Sequence, residues 1–219
     1  KIVGDKWANI LTGAPVMSYT FGKLFGRSLK DAGVEGDFGG ETGFEGRKYE
    51  FYKGGLFRSN KTKYSELDEE TRKNFADRFG LIRDGVSDMA ESIGLSAEKL
   101  DTFTGKIKLS LMGLSSEDMN KKISEEFKKL ADDMAAIVLD TDKYTQGEET
   151  RAETLARLSG RMVGVNQWLE VMGDKLLEVS VVGADMASSR VDAFGGEDAF
   201  KSSTESSLSK YFTDIEKID

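Results

Sequence analysis

The spacing of apolar residues changes near residue 68, from a period of about 2 to a period of about 3.6. Upstream, KYEFY (48–52) alternates, with Tyr49 and Phe51 on one face and Lys48, Glu50 and Tyr52 on the other. RSNKTKY (58–64) is predicted to return beside it across a turn at Gly54-Gly55, and SLKDAGVEGDF (28–38) is a third strand. Residues 22–55 hold ten Gly in 34 positions, which fits tight hairpins between short strands. Downstream, Phe75, Phe79, Ile82, Val86, Met89 and Ile93 fall on one stripe of a helix that Asp68 caps and Gly94 closes.

The same reading continues to the end of the chain. LSAEKLDTF (95–103) reads as a short helix capped by Ser96, and KIKLSLMG (106–113) as a strand with Ile107, Leu109 and Leu111 inward. A long helix follows, capped by Ser115 or Ser116, with Met119, Ile123, Phe127, Leu130, Met134 and Ile137 on its stripe. TDKYTQGE (141–148) is a loop, and a further helix carries Leu155, Leu158, Met162, Val165, Leu169 and Met172 up to Gly173. KLLEVSVV (175–182) fits a buried strand or the entry to another helix equally well. The fold class is therefore α+β, with N-terminal glycine-rich β-hairpins forming a small antiparallel sheet packed with several amphipathic helices. The expected organisation is a peripheral segment over 1–27 and a single domain over 28–195. That domain is β-rich over 28–66 and mostly helical over 68–195, with a strand near 106–112. A Ser-rich linker and terminal amphipathic helix over 196–219 complete it.

Composition narrows the chemistry. The 219 residues include 31 Lys and Arg against 39 Asp and Glu, for a net charge of −8. That balance argues against sequence-independent nucleic-acid binding, which needs a basic face. His and Cys are both absent, so Ser-His-Asp and Cys-His devices are excluded, as is a zinc site of the usual kind. No catalytic residue, cofactor or metal is expected. The chain starts at Lys1 rather than Met, which fits a piece of a longer chain, and the interrupted apolar start KIVGDKWANILTGAPVMSYTF has neither signal-peptide layout nor membrane-span length.

Charge is unevenly placed. In GGLFRSNKTKYSELDEET (54–71) a basic strand runs into an acidic helix entrance. The acids serve the helix dipole and the cations an exposed strand, so the juxtaposition needs no active site. Residues 47–63 carry Arg47, Lys48, Lys53, Arg58, Lys61 and Lys63 against the single acid Glu50, with Tyr49, Phe51, Tyr52 and Phe57 interleaved. This set is a candidate partner or anion surface that could contact DNA; the competing reading is a β edge guarded by cations. Leu208, Phe212 and Ile215 form a candidate oligomer or partner stripe on the last helix. DTDKYTQGEET (140–150) fails as a calcium loop, since Thr145 and Arg151 stand where Gly and Glu are required. Glu91-Ser92 matches a lytic-transglycosylase pair, which keeps a peptidoglycan-cleaving glycosidase as an alternative, but on a solvent-facing arc of the first long helix.

Four stretches in order resemble the carboxy-terminal region of tailed-phage (or prophage) tail length tape measure proteins. They are GGLFRSNKTKYSELDEET (54–71) with the helix after it, KIKLSLMGLSSEDM (106–119), FKKLADDMAAIVLD (127–140) and TQGEETRAETLARL (145–158). The resemblance covers roughly residues 33–180 and implies a structural virion protein rather than an enzyme. Such proteins fill the lumen of the assembling tail tube, set tail length and meet the tip complex near their carboxy-terminal end. The implied partners are tail-tip or baseplate and tail tube proteins, with a homo-oligomer within the virion compatible with tail symmetry. The implied location is the virion tail, and the bacterial host cytoplasm during assembly.

Overall fold

The computed structural model describes residues 27–40 and 42–215. Its elements follow the change of period. Strands β1 (Arg27–Gly39), β2 (Gly43–Gly54) and β3 (Lys61–Glu66) come first, then helix α1 (Glu69–Ser92), a 3₁₀ turn (Glu98–Thr102) and strand β4 (Gly105–Ser110). Helices α2 (Ser116–Val138), α3 (Arg151–Val171), α4 (Val181–Ala193) and α5 (Glu197–Ile215) complete the described chain. The sheet is antiparallel throughout, in the order β3-β2-β1-β4, so the expected α+β class holds.

One face of the sheet carries the core. Alternation and register place Val34, Phe38, Phe44, Ile107 and Leu109 on it, each at most 3% exposed. Helix α1 packs on β2, α2 on β4, α3 against both helices, and α4 on α3. The predicted stripe of α1 is fully internal, from Phe75 to Ile93. Each such side chain contributes about 1.5–3 kcal/mol by leaving water. Phe38 sits among four rings: Phe44, Phe79, Phe127 and Phe75, at centroid distances of 4.6, 5.2, 5.5 and 6.1 Å.

Two glycines facing each other make room for this cluster. Gly36 and Gly46 are direct cross-strand partners. A Cβ at Gly36 would lie 2.7 Å from Phe44 Cζ, and one at Gly46 2.4 Å from the same ring. The Phe44 ring therefore rests in a dent that exists only because both positions lack side chains.

Helix starts follow the expected chemistry. Asp68 accepts from the Thr71 amide, Ser115 from that of Asp118, and Thr150 forms a reciprocal capping box with Glu153. Several expectations need correction. The short helix after Gly94 is a 3₁₀ turn beginning at Glu98; Ala97 holds its cap position, while Ser96 Oγ accepts from the Glu98 amide at 3.4 Å. Met172 is 44% exposed and leaves the stripe of α3. Of the two readings of 175–182 the helix entry holds and the strand does not: the chain stays irregular until Ser180 caps α4. The Ser-rich stretch is no linker, because it lies inside α5, and the start of that helix joins the core through Phe200, whose ring meets Trp168 and Phe194 edge-on at 5.8 and 5.4 Å. The peripheral segment expected over 1–27 falls almost wholly outside the described residues.

Candidate binding surfaces

The sheet face opposite the helices is polar, and its register builds an ionic network. Glu35 on β1 lies opposite Arg47 on β2 and Lys108 on β4. Its Oε1 accepts from Arg47 Nη2 and Nε at 2.9 and 3.1 Å, and its Oε2 faces Lys108 Nζ at 3.4 Å. Burial works to raise this carboxyl, but the Arg47 hydrogen bonds and the Lys108 charge outweigh it and hold the group below its usual range.

Both cations are also stacked. The Arg47 guanidinium lies 3.7 Å from the centre of the Tyr64 ring, and Lys108 Nζ 4.9 Å from that of Tyr49. Tyr49 donates its hydroxyl to Asp31 Oδ2 at 2.9 Å, and Ser110 donates to Asp31 Oδ1 at 2.5 Å. A shallow depression framed by Glu35, Asp37, Glu45, Arg47, Lys106 and Lys108 results. It presents fixed charges of both signs in a defined pattern, which suits recognition of a complementary protein surface better than capture of a small molecule.

The six cations of the hairpin do not share one face. Arg47 points to the open side, where Glu35 neutralises it. Lys48 points to the helix side, 3.5 Å from the Asp68 carboxylate. Lys61 and Lys63 lie opposite Tyr52 and Glu50 on that same side of β3, whose residues are all exposed. Lys53 and Arg58 sit at the far end of the hairpin, also exposed. Since β3 and β4 are the outer strands among the described residues and both carry lysines, much of this charge guards edges.

At the end of the β2–β3 hairpin the Arg58 amide donates to the Gly55 carbonyl at 3.1 Å, closing a β-turn whose two central residues are Leu56 and Phe57. These are 93% and 94% exposed. In the sequence Phe57 stands out as one of the rings among the hairpin's cations, whereas its neighbour Leu56 does not. The pairing of Tyr52 with Lys61 is the signal that locates the pair at the tip.

A second network joins residues that no sequence pattern links. Arg157 donates to Glu149 at 2.7 and 3.1 Å, to Ser188 Oγ at 2.6 Å and to the Tyr144 carbonyl at 2.5 Å. Arg161 reaches Asp192 at 2.7 Å. Together they tie the 141–150 loop and α4 to α3. The role is structural, since the groups bond one another.

Glu91 is exposed on α1 and accepts from Ser87 at 3.4 Å, while Ser92 bonds Ser159 on α3 at 2.7 Å. The pair is thus split between solvent and a helix interface. Leu208, Phe212 and Ile215 belong to α5, but their side chains lie outside the described part. Among the described residues no cluster of three or more Asp or Glu is placed to hold a metal ion, and no helix is long and apolar enough to cross a membrane. No family model, no curated protein and no solved structure matches this chain.

Proposed function

We propose that this chain is the folded docking module of a tailed-phage tail length tape measure protein, binding tail-tip or baseplate components during assembly. The reading is supported by where the four resembling stretches fall in the fold. The first runs from the β2–β3 turn to the cap of α1, and the second from β4 into the first turn of α2. The third is the buried half of α2, and the fourth holds the capping box of α3 and both partners of the Arg157–Glu149 pair. The residues that carry the resemblance are thus caps, turns, core positions and a half-buried ion pair. They build a rigid shape, and the patterned open sheet face is the surface that shape presents.

The test is co-purification with the tail-tip proteins encoded beside this chain. Association is expected, and it should weaken when Arg47→Glu and Lys108→Glu invert the open face. Absence of association with every such protein, by a chain shown to be folded, would falsify the docking role.

A further inference from the structure

We infer that the tip of the β2–β3 hairpin is a membrane-surface anchor, with Leu56 and Phe57 entering an anionic bilayer and Lys53, Arg58, Lys61 and Lys63 meeting its headgroups. This goes beyond the docking role and stands without it.

The first support is the choice of residues. Turn corners are ordinarily filled by Gly, Pro, Asn, Asp or Ser, yet here both central positions are large and apolar. No non-Gly residue in the described chain has a positive φ, so the backbone makes no demand that Leu or Phe alone could meet. Isolated exposed apolar side chains are common, but these two are adjacent and project almost wholly into solvent. The next most exposed large hydrophobic among the described residues, Val182, is only 59% exposed. Local preference is violated where no packing gain offsets it, as happens at functional positions.

The second support is that the tip is held in shape. Gly54 donates its amide to the Asn60 side chain at 3.1 Å, and Arg27 Nε donates to the Ser59 carbonyl at 3.3 Å. A Cβ on Gly54 would fall 1.6 Å from the Arg58 carbonyl oxygen, so the chain crosses itself too closely for any other residue. Leu56 and Phe57 are thus presented by a fixed turn.

The third support is charge. Edge protection accounts for Lys61 and Lys63 on β3, but Lys53 lies on the interior strand β2 and Arg58 in the turn. These cations flank the apolar pair along both strands and in the turn, in a chain whose net charge is −8. An apolar point with a cationic collar complements an anionic lipid surface, where the hydrocarbon receives the point and phosphates the collar. A convex point needs no shaped cavity, which a bilayer does not offer and a protein pocket would have to.

The absence of Cys allows a clean probe. Phe57→Cys carries an environment-sensitive fluorophore, and a label at exposed Asp84 on α1 is the control. Vesicles of phosphatidylcholine alone are compared with vesicles that also contain phosphatidylglycerol. Expected is a blue shift at position 57 but not at 84, with phosphatidylglycerol vesicles only. Flotation of the unlabelled chain should fall at least about tenfold for Leu56→Ser with Phe57→Ser, since two large apolar side chains lose their burial. Lys53→Glu with Lys61→Glu should weaken flotation, and rising salt should weaken that of the unaltered chain. Circular dichroism should be unchanged in each, because these residues are exposed. No vesicle binding overturns the proposal and leaves the tip to a pocket on a protein partner. Binding that survives the serine pair overturns it too, as does binding indifferent to phosphatidylglycerol and salt.

Discussion

Substitution of Gly46 by alanine adds one methyl group to the core face of the sheet, and the cost can be worked from the neighbours it meets. The new Cβ would stand 2.4 Å from Phe44 Cε1 and Cζ and 3.0 Å from Leu67 Cδ1. Phe44 is 0% exposed and held against Phe38 and Phe75 at 4.6 and 5.0 Å, so its ring cannot swing aside. Overpacking of this kind costs about 1–3 kcal/mol, partly offset by the roughly 0.4–1 kcal/mol that Gly→Ala gains by restricting the unfolded chain. A net loss of about 1–2 kcal/mol is expected. The same change at Gly80, inside α1, meets nothing within 4 Å. There it should stabilise by about 0.5–1 kcal/mol. The decisive measurement is a double-mutant cycle by urea unfolding, with Phe44→Leu as the second change. With the ring gone, Gly46→Ala should become neutral or stabilising, which gives a coupling of about 1–2 kcal/mol at an unchanged m-value. Costs that simply add, within about 0.5 kcal/mol, would refute the proposal that the paired glycines exist to seat Phe44.

Three further outcomes can be checked. Arg157→Ala removes the two-pronged partner of half-buried Glu149 and should cost about 1–3 kcal/mol, read as a lower urea midpoint, with little recovery in Arg157→Lys because the fork of donors is lost. Asp68→Ala should cost about 1 kcal/mol and Asp68→Asn much less, because the cap oxygen to the Thr71 amide survives in the latter. The fold should also weaken at both ends of the pH scale. Thr71 hydrogen bonds hold the Asp68 carboxyl low, and burial opposed by Arg47 and Lys108 leaves Glu35 low as well. Their stabilisation is therefore complete above about pH 4–4.5 and fades as pH falls through the lowered values. Burial, then hydrogen bonding to Asp31 and Glu50, raises the phenols of Tyr49 and Tyr52, the latter to about 12. That contribution is full below the ordinary phenol range near pH 10 and disappears as pH rises through the folded values. An alkaline absorbance titration should show late ionisation among the six tyrosines, and the delay should vanish in urea.

The sequence shows its elements wherever one face is buried. The stripes of α1 and α2 and the alternation of KIKLSL are each set by a single apolar face, so period alone finds them. It does not show the sheet order. Pairing of β4 with β1 rather than β3 joins residues far apart in the chain, as in Val34 with Leu109, and no local pattern records that choice. The Ser-rich stretch misled for a related reason. Serine is weak in isolated helices, but the stretch is continuous with a first turn whose Phe200 is anchored on Trp168, and that anchor is tertiary.

The candidate surfaces follow the same division. Counting charges along 47–63 gives one basic patch, whereas strand alternation sends Arg47 to one side and Lys48, Lys61 and Lys63 to the other. A linear cluster on a β-hairpin is two half-clusters in space except at the turn, where alternation stops and neighbouring residues can share a direction. The turn is thus where cations from both strands and from the loop can act together, and it is there that Leu56 and Phe57 stand. Had the pair fallen within β2 or β3, one side chain would face each side of the sheet. Their position at the reversal is what makes a hydrophobic dipeptide into a single point of contact.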